Sequence, residues 1–362
     1  MDEGRLKALR RLLRARRLDG LLLTAEADIR YLTGYRGEEA ALVVRRGRPA
    51  LVTDGRYAEE AGRALGRSGG RFRLVVRRGP LAEAVAGLFR RPVALGVEEE
   101  TVSHRLWKAL RRALPPGSRV RSAGGLVAGL RRHKDAGELR AVRRAVRLAE
   151  EGFLAFRRRL RAGLTERQAA RLLEDCLLEA GSEGFPFPVI VAAGPNSSRP
   201  HHRPTGRKIR RGELVLVDWG ARYRGYCSDL TRVLFLGKIR PAWERAYEAV
   251  LEAHLAACRA ARPGAALGTP EEAARRVLRE RRLEERFLHG LGHGIGLEVH
   301  EPPALSAGSK GRLEPGDCFT VEPGVYLAGR FGIRLEDDYR LAADRIERLS
   351  SLPRELSWAA AR

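Results

Sequence analysis

The segment ELVLVDWGARYRGYCSDLTRVLFL, residues 213–236, decides the architecture of the C-terminal part of this chain. Two strand-like apolar runs flank the polar stretch ARYRG, and this pattern predicts a β-hairpin. The first run contains Asp218 and the second begins at Asp229. If the hairpin turns at Tyr223–Arg224, the two aspartates lie directly opposite each other, with Cβ atoms ~5 Å apart. Because a buried carboxylate needs a partner charge or a metal ion, the hairpin predicts a metal site.

A second carboxylate pair repeats this arrangement. Glu322 lies in CFTVEP and Glu336 lies in IRLEDD, and a turn centred on Gly329 makes the two glutamates opposite residues. The stretch LAGRFG supplies the glycines of such a turn, although Pro323 and Gly324 interrupt the first strand. Two hairpins that each carry a carboxylate pair predict an internally two-fold catalytic domain.

An imidazole completes the predicted metal centre. His293 lies in GLGHGIG, so the candidate ligands are Asp218, Asp229, His293, Glu322 and Glu336. Two divalent ions ~3.5–4 Å apart can share bridging carboxylates, generate hydroxide at neutral pH and stabilise a tetrahedral intermediate. Surface acids seldom lie inside apolar runs such as LVLVDW, so a metal centre is favoured over four separate ion pairs. The predicted reaction class is metal-assisted hydrolysis, with Mn²⁺, Co²⁺ or Zn²⁺ as the metal.

Further histidines occur near these ligands in the sequence. His289 and His300 flank His293, and His201 and His202 lie upstream of Asp218. One such histidine is more often a structural hydrogen-bonding residue, but a group of this size predicts functional roles for at least two. The glycines of HGLGHGIG are expected to let the backbone approach the metals and the substrate closely.

Length and composition limit the class of protein. A chain of 362 residues predicts two domains. No apolar run reaches the ~18 residues of a membrane span. The N-terminal segment MDEGRLKALRRLLRARRLDG is charged throughout, which predicts an amphipathic helix rather than a secretory signal, and therefore a cytoplasmic protein. The four cysteines are widely spaced and are expected to be free thiols: Cys176, Cys227, Cys258 and Cys318.

The net charge of +24 raises the possibility of nucleic-acid binding. Basic residues exceed acidic ones in both predicted domains, however, and only six of the 69 basic residues are lysines. The sequence also has one Asn, one Gln and one Met. We therefore favour an arginine-rich protein of a thermophile, with no nucleic-acid partner, and the acidic predicted site argues against a phosphate ligand there.

The order of predicted elements places a domain boundary near Leu130–Lys134. Residues 1–130 alternate helices with strands, which predicts an α/β layer around a mixed sheet. Asp135 and Thr165 are expected to cap two long helices that follow the boundary. The expected elements before the boundary are helices 5–17, 57–65, 81–89 and 104–114, and strands in LDGLLLTA, AALVVRRGRPALVTD, FRLVV and VALGVE. Those after it are two further helices, 243–261 and 269–280, and mostly strands from His289 onward.

Longer segments resemble the pita-bread family of metallopeptidases, which includes methionine aminopeptidases, Xaa-Pro aminopeptidases and Xaa-Pro dipeptidases (prolidases). The similarity to the proline-specific branch lies in PNSSRPHHRPTGRKIRRGELVLVDWGARYRGYCSDLTR, HGLGHGIGLEVHEPP, LEPGDCFTVEPGVY and FGIRLEDD. DIRYLTGY and LVTDGRYAEEA resemble the creatinase-like N-terminal domain of that branch. The resemblance implies an α+β chain: a creatinase-like α/β domain, residues 1–130, and a pita-bread catalytic domain of pseudo-two-fold α+β architecture, residues 131–362.

The resemblance also implies a role for each predicted ligand. Asp218 would chelate one metal, and Asp229 and Glu336 would bridge both metals. His293 and Glu322 would bind the other metal. Glu322, beside the hydroxide, is also the expected acid/base group.

For the substrate side, the resemblance implies roles for four more residues. His201 would contact substrate. His289 and His300 would line the substrate pocket and stabilise the intermediate. Arg334 would brace the bridging carboxylates, and the role of His202 stays open.

These expectations describe an Xaa-Pro aminopeptidase or dipeptidase that binds two metal ions, acts on proline-containing peptides and forms a homodimer. The nearest alternatives on the same fold are a methionine aminopeptidase, which the large N-terminal domain disfavours, and a creatinase-like amidinohydrolase, which the complete ligand set disfavours. A metal-free peptide- or nucleic-acid-binding module is a more distant alternative. The preferred substrate length, the physiological metal, and whether the N-terminal domain contacts substrate in its own chain or in a partner stay open.

Overall fold

A computed structural model describes residues 3–360, which divide into two compact units between Arg131 and Arg132. Within residues 3–360, no helix combines the length and the apolar character needed to span a bilayer. The helices are α1 Glu3–Ala15, α2 Glu26–Thr33, α3 Ala58–Gly66, α4 Leu81–Ala86, α5 His104–Ala113, α6 Leu126–Arg131, α7 Ala136–Arg159, α8 Glu166–Glu179, α9 Pro241–Ala260, α10 Thr269–Glu280 and α11 Leu356–Ala359. The strands are β1 Gly20–Leu23, β2 Ala40–Arg45, β3 Ala50–Asp54, β4 Arg73–Arg77, β5 Ala94–Val97, β6 Arg119–Ser122, β7 Ile190–Ala193, β8 Leu214–Trp219, β9 Arg222–Tyr223, β10 Tyr226–Cys227, β11 Leu230–Phe235, β12 Gly292–Gly294, β13 Glu301–Leu305, β14 Cys318–Val321, β15 Gly324–Leu327, β16 Phe331–Arg334, β17 Asp337–Leu341 and β18 Ile346–Arg348.

The first unit is built on a six-stranded mixed sheet with strand order β4-β3-β2-β1-β5-β6. β1 pairs antiparallel with β2 and parallel with β5, so the predicted α/β layer with a mixed sheet is confirmed. Three elements of this unit were not predicted from the sequence: α2, β6 and α6. α2 has no side-chain cap, β6 is a largely exposed basic strand, and α6 lies in a glycine-rich stretch, so none has a strong sequence signal.

Two capped helices open the second unit, as predicted. Asp135 accepts hydrogen bonds from the backbone N–H groups of Gly137 and Glu138, and the Glu138 side chain completes a capping box. Thr165 and Gln168 form the same arrangement at the start of α8. These caps satisfy backbone donors that have no partner inside the helix, and thereby fix where α7 and α8 begin.

The sheet that carries the first hairpin is buried on both faces. Successive residues of β8 alternate between two cores: Leu214 and Leu216 pack with α9 and α10, whereas Val215 and Val217 pack with α7 and α8. Trp219 continues the second row, where it stacks on a phenylalanine of α7 with ring centroids 3.8 Å apart. Asp218 follows Leu214 and Leu216 at the same two-residue spacing, so its carboxylate lies on the face of the sheet that packs with α9, at the end of β8.

The turn of this hairpin lies one residue later than predicted. Tyr223 pairs with Tyr226, so Arg224 and Gly225 form the two-residue turn. Both turn residues have positive φ, 48° for Arg224 and 77° for Gly225, as a type I′ hairpin requires. Glycine adopts this backbone at little cost, which favours a turn that includes Gly225.

The later turn changes the partner of Asp218. Asp218 pairs with Thr231, so the prediction that Asp218 and Asp229 lie directly opposite each other is wrong. A shift of two residues keeps every side chain on its face of the sheet. Asp229 therefore stays on the same face as Asp218, as a diagonal rather than a direct neighbour.

The register of the second hairpin is confirmed. β14 pairs with β17 and β15 pairs with β16 in one continuous register that makes Glu322 and Glu336 opposite residues. Gly329, with φ 68°, lies at the centre of the turn. The strands break at Glu322–Pro323, as the sequence indicated, and a bridge between Thr231 and Glu336 connects this hairpin to the first.

Candidate metal centre

One cavity of about 460 Å³ in the second unit brings together every residue predicted to bind metal or substrate. The cavity also has an apolar wall that begins at Phe187 and ends at Ile190. The predicted residues that line it are His201, Asp218, Asp229, His289, His293, His300, Glu322, Arg334 and Glu336.

Three carboxylates form the buried end of this cavity. Asp218, Asp229 and Glu336 are 8%, 5% and 2% exposed, and they offer oxygens that all lie within 4.8 Å of one another. One oxygen of each carboxylate, Oδ1 of the aspartates and Oε1 of Glu336, is buried without a hydrogen-bond partner among residues 3–360. Such a group is costly to bury unless a ligand compensates it. The three unpaired oxygens fit a divalent cation, for which carboxylates are hard oxygen ligands.

The electrostatics of the cluster favour a bound cation. Burial raises the pKa of Asp229 and of Glu336 well above the usual range, and repulsion from neighbouring carboxylates raises both further. Burial also raises the pKa of Asp218, and it raises that of Glu322 to about 8. Without a cation, each of these shifts favours the protonated form of its carboxyl group. A divalent ion would stabilise their charged forms and displace those protons.

His293 presents a neutral nitrogen to the carboxylates. Its Nε2 lies 3.4 Å from Glu322 Oε1 and 3.6 Å from Asp229 Oδ2. Its Nδ1 lies 3.2 Å from the carbonyl oxygen of Gly294, so Nδ1–H can donate and leave Nε2 free to bind a metal. Burial lowers the pKa of His293 to about 3, and the nearby His300 contributes to that lowering.

The glycines beside His293 are needed by the neighbouring strands. A Cβ on Gly292 would lie 2.1 Å from the carbonyl oxygen of Thr320, and one on Gly294 would lie 2.3 Å from that of Pro302. Side chains at these positions would force the strands apart. The glycines thus allow close strand packing around His293, and Gly290 and Gly292 also line the cavity.

Arg334 ties the two hairpins together. Its guanidinium donates to Asp218 Oδ2 at 2.5 Å, to Thr231 Oγ1 at 3.0 Å and to the Tyr326 hydroxyl at 2.8 Å. Thr231 Oγ1 in turn donates to Glu336 Oε2 at 2.6 Å. Neither Thr231 nor Tyr326 was predicted from the sequence. Alternate residues of a strand lie on the same face. Thr231 lies two residues after Asp229 and Tyr326 lies four residues after Glu322, so this alternation could have placed both on the face of the predicted ligands.

The other histidines occupy different parts of the cavity. His289 Nε2 lies 2.9 Å from the Tyr326 hydroxyl, and burial lowers the pKa of His289 to about 4. The His300 ring lies 4.1 Å from that of His293, edge to face, and His300 joins Asp229 and His293 in a group that could hold a metal. Burial lowers the pKa of His300 as well. His201 is an exposed residue of the cavity lining.

His202 also lines the cavity, but its side chain is hydrogen-bonded to a residue outside the predicted ligand set. It is 4% exposed, and its Nε2 lies 2.9 Å from Oε2 of the buried Glu166. This hydrogen bond gives His202, whose role the sequence left open, a partner at the start of α8.

Two family models match this chain. Metallopeptidase family M24 matches residues 140–343, and the creatinase/prolidase N-terminal domain matches residues 5–133. Among curated proteins, the uncharacterized peptidase YqhT of Bacillus subtilis is 31% identical over 97% of this chain and 99% of that protein.

Solved structures with the same fold bear peptidase names. An Xaa-Pro dipeptidase from Bacillus anthracis has a TM-score of 0.92 and 31% identity, and the match covers 98% of each chain. An X-Pro aminopeptidase from Thermotoga maritima has a TM-score of 0.85 and 33% identity, and the match covers 96% of this chain and 98% of that one. The two-domain fold is therefore a creatinase-type domain followed by a pita-bread domain. The chain belongs to metallopeptidase family M24, whose members are hydrolases that use divalent metal ions.

Proposed function

We propose that this chain is a dinuclear-metal exopeptidase that hydrolyses the bond between an N-terminal residue and proline. The observation that carries the proposal is the set of three buried carboxylate oxygens without partners, on Asp218, Asp229 and Glu336, beside the neutral His293. Proline specificity is supported by the names of two relatives, the Xaa-Pro dipeptidase and the X-Pro aminopeptidase.

The ligand groups overlap in a way that would let them hold two ions. Asp229 and Glu336 both lie in the group that contains Asp218, and each recurs in a group that contains His293. This overlap supports Asp229 and Glu336 as the residues that bridge both ions. Asp218 would then complete the ligands of one ion, and His293 with Glu322 would complete those of the other. Mn²⁺ or Co²⁺ suits this oxygen-rich set best, and Zn²⁺ is also compatible.

The chemistry divides between the ions and the side chains. When bound, the ions would supply a nucleophile at neutral pH and Lewis-acid stabilisation of the substrate oxygen. Glu322 is the proposed acid/base group, since it lies at the cavity beside His293 and can carry a proton to the leaving proline nitrogen. The free α-amine of the substrate would bind at a metal or at an acid of the site, which would restrict cleavage to the N-terminus.

The rest of the cavity is proposed to bind the proline side. His289, His300 and His201 would contact the developing oxyanion and the residues after the scissile bond. The His289 ring is held in position at the cavity, because its Nδ1 lies 2.8 Å from a backbone carbonyl oxygen and its Nε2 bonds to Tyr326. The apolar wall from Phe187 to Ile190 provides a surface against which a pyrrolidine ring can pack.

We also propose that the protein is a cytoplasmic homodimer. Four free cysteines, three of them buried, support a reducing compartment. The dimer rests on the family resemblance, and light scattering of the purified protein would test it by giving the mass of one or two 40.1 kDa chains.

Substrate selectivity is the experiment that tests the proposed function. Metal-stripped protein would be assayed with Mn²⁺ or Co²⁺ on Ala-Pro, Ala-Pro-Ala and Ala-Ala-Ala. We expect release of alanine from at least one proline peptide and little hydrolysis of Ala-Ala-Ala. The ratio of Ala-Pro to Ala-Pro-Ala hydrolysis separates a dipeptidase from an aminopeptidase. Faster cleavage of Ala-Ala-Ala than of both proline peptides would refute the proline assignment.

A further inference from the structure

A segment that we call the pocket loop, residues 193–205, forms one wall of the cavity. Five consecutive residues of this loop, 200–204, line the cavity. The loop leaves β7, passes through a 3-10 helix at Gly194–Ser198 and returns to the start of α8. Its two ends meet at a single side chain, that of Glu166.

Glu166 binds both ends of the pocket loop with one carboxylate. It is the first residue of α8 and is fully buried. Oε1 accepts from Ala193 N at 2.9 Å and from Asn196 Nδ2 at 2.8 Å, where the loop begins. Oε2 accepts from His202 Nε2 at 2.9 Å, and from Thr205 N at 3.0 Å and Oγ1 at 2.7 Å, where the loop ends. Each oxygen therefore holds one end.

This carboxylate is ionised in the folded protein. Burial alone would raise the pKa of Glu166, but the hydrogen bonds from Ala193, Thr205, His202 and Asn196 outweigh burial and lower the pKa to about 2. A helix N-terminus also favours a negative charge. An ionised carboxylate only accepts hydrogen bonds, so His202 must donate through Nε2–H.

The residue next to His202 has no comparable attachment. Among residues 3–360, the His201 side chain makes no hydrogen bond, although it lines the cavity. Its position is set by its neighbours: the carbonyl oxygen of Pro200 lies 3.4 Å from Arg334 Nη1, and His202 is held by Glu166. The backbone is thus fixed on both sides of a free imidazole.

We infer that Glu166 and His202 are positioning residues for His201, and that they hold its imidazole where substrate binds. The inference rests on the proposed function for the role of His201 in catalysis, but the placement of the imidazole can be measured without substrate. A displacement of ~1 Å in a positioned group can cost ~100-fold in rate. The pair would therefore affect turnover by holding His201 in place.

The experiment compares His202→Leu with His202→Gln. Glutamine keeps an N–H donor close to the position of Nε2, whereas leucine removes it. We expect His202→Leu to lower kcat/KM on Ala-Pro by roughly 10- to 100-fold with metal content unchanged, and His202→Gln to retain activity near that of the parent. In a His201→Ala background, His202→Leu should cost little more, because the group that it positions is gone. Additive losses in this cycle would overturn the inference.

A second readout is independent of activity. The NMR signal of the His201 ring is identified by its absence in His201→Ala, and we expect it to shift or split in His202→Leu but not in His202→Gln. An unchanged His201 signal in His202→Leu would overturn the inference, even in a protein that failed to hydrolyse proline peptides and so refuted the proposed function. If His202→Leu does not fold, Thr205→Val removes one hydroxyl donor to Glu166 and should perturb the same signal.

Discussion

Replacing Arg334 with methionine tests how the carboxylate cluster is held together. Arg334 is 3% exposed and donates to Asp218, Thr231 and Tyr326. Methionine keeps much of the volume but removes the charge and all three hydrogen bonds. Removing one partner of a buried ion pair typically costs about 3–5 kcal/mol, because the other charge is left uncompensated. In a domain of this size, each kcal/mol lowers the melting temperature by ~2–4 °C, which predicts a loss of roughly 6–20 °C.

The expected loss depends on whether metal is bound. In the metal-free protein, Arg334 offsets the charge of Asp218 and lies 3.9 Å from Glu322. Bound divalent ions would offset the same carboxylates, so Arg334→Met should cost less stability in Mn²⁺ than in chelator. Calorimetric melting of parent and variant in both conditions measures this difference.

A matched control lies in the same hairpin. Arg330 is exposed at the turn between β15 and β16, so Arg330→Met should change the melting temperature little. If Arg334→Met and the parent have the same melting temperature in chelator, this explanation of the cluster's stability is refuted. An equal loss in chelator and in Mn²⁺ would refute the electrostatic explanation, because packing alone would then account for it.

Four further predictions follow from the structure and the charge. Asp229→Ala should abolish activity and reduce bound metal from about two ions per chain to near zero, because a bridging ligand serves both ions. Elemental analysis measures the metal content, and full activity of this variant would exclude Asp229 as a bridging ligand. His300→Ala should lower kcat with metal content retained, and a large loss of metal would instead make His300 a ligand. Burial lowers the pKa of His254 to about 4, with its Nδ1 near the Leu335 carbonyl oxygen and its Nε2 bonded to the Tyr339 hydroxyl. The unfolded state, with an ordinary histidine pKa, takes up this proton first. Stability should therefore fall by on the order of 3 kcal/mol as the pH drops from about 6.5 to 4, and urea unfolding should show a smaller drop in His254→Gln. Duplex DNA should bind weakly, with an affinity that falls steeply as the salt concentration rises. Tight binding that resists salt would instead favour the hypothesis of a nucleic-acid-binding protein.

The hairpins show how far sequence can predict this site. Glycine at the centre of LAGRFG specified the second register correctly, because Gly329 adopts the positive φ that the turn requires. The first register was missed by two residues, since the turn also needed positive φ at Arg224, a residue with no special preference for it. The face of Asp229 was still correct, because side chains alternate with period two.

Contacts between distant segments were beyond the sequence alone. Thr231 and Tyr326 lie in different hairpins, and only the folded chain shows that Arg334 binds both. The attachment of His202 to Glu166 likewise joins residues 36 positions apart. Short-range periodicity carries no information on such pairs. Strong helix caps, by contrast, are local, and both Asp135 and Thr165 were predicted correctly.

The dinuclear centre is tested by titrating Mn²⁺ into metal-stripped protein and following Ala-Pro hydrolysis at each addition. We expect no hydrolysis without metal and a rise in rate that saturates when two ions are bound per chain, since two carboxylates are proposed to bridge the pair. Hydrolysis by the metal-free protein, or full activity with binding that ends at one ion per chain, would contradict a dinuclear centre at Asp218, Asp229, His293, Glu322 and Glu336.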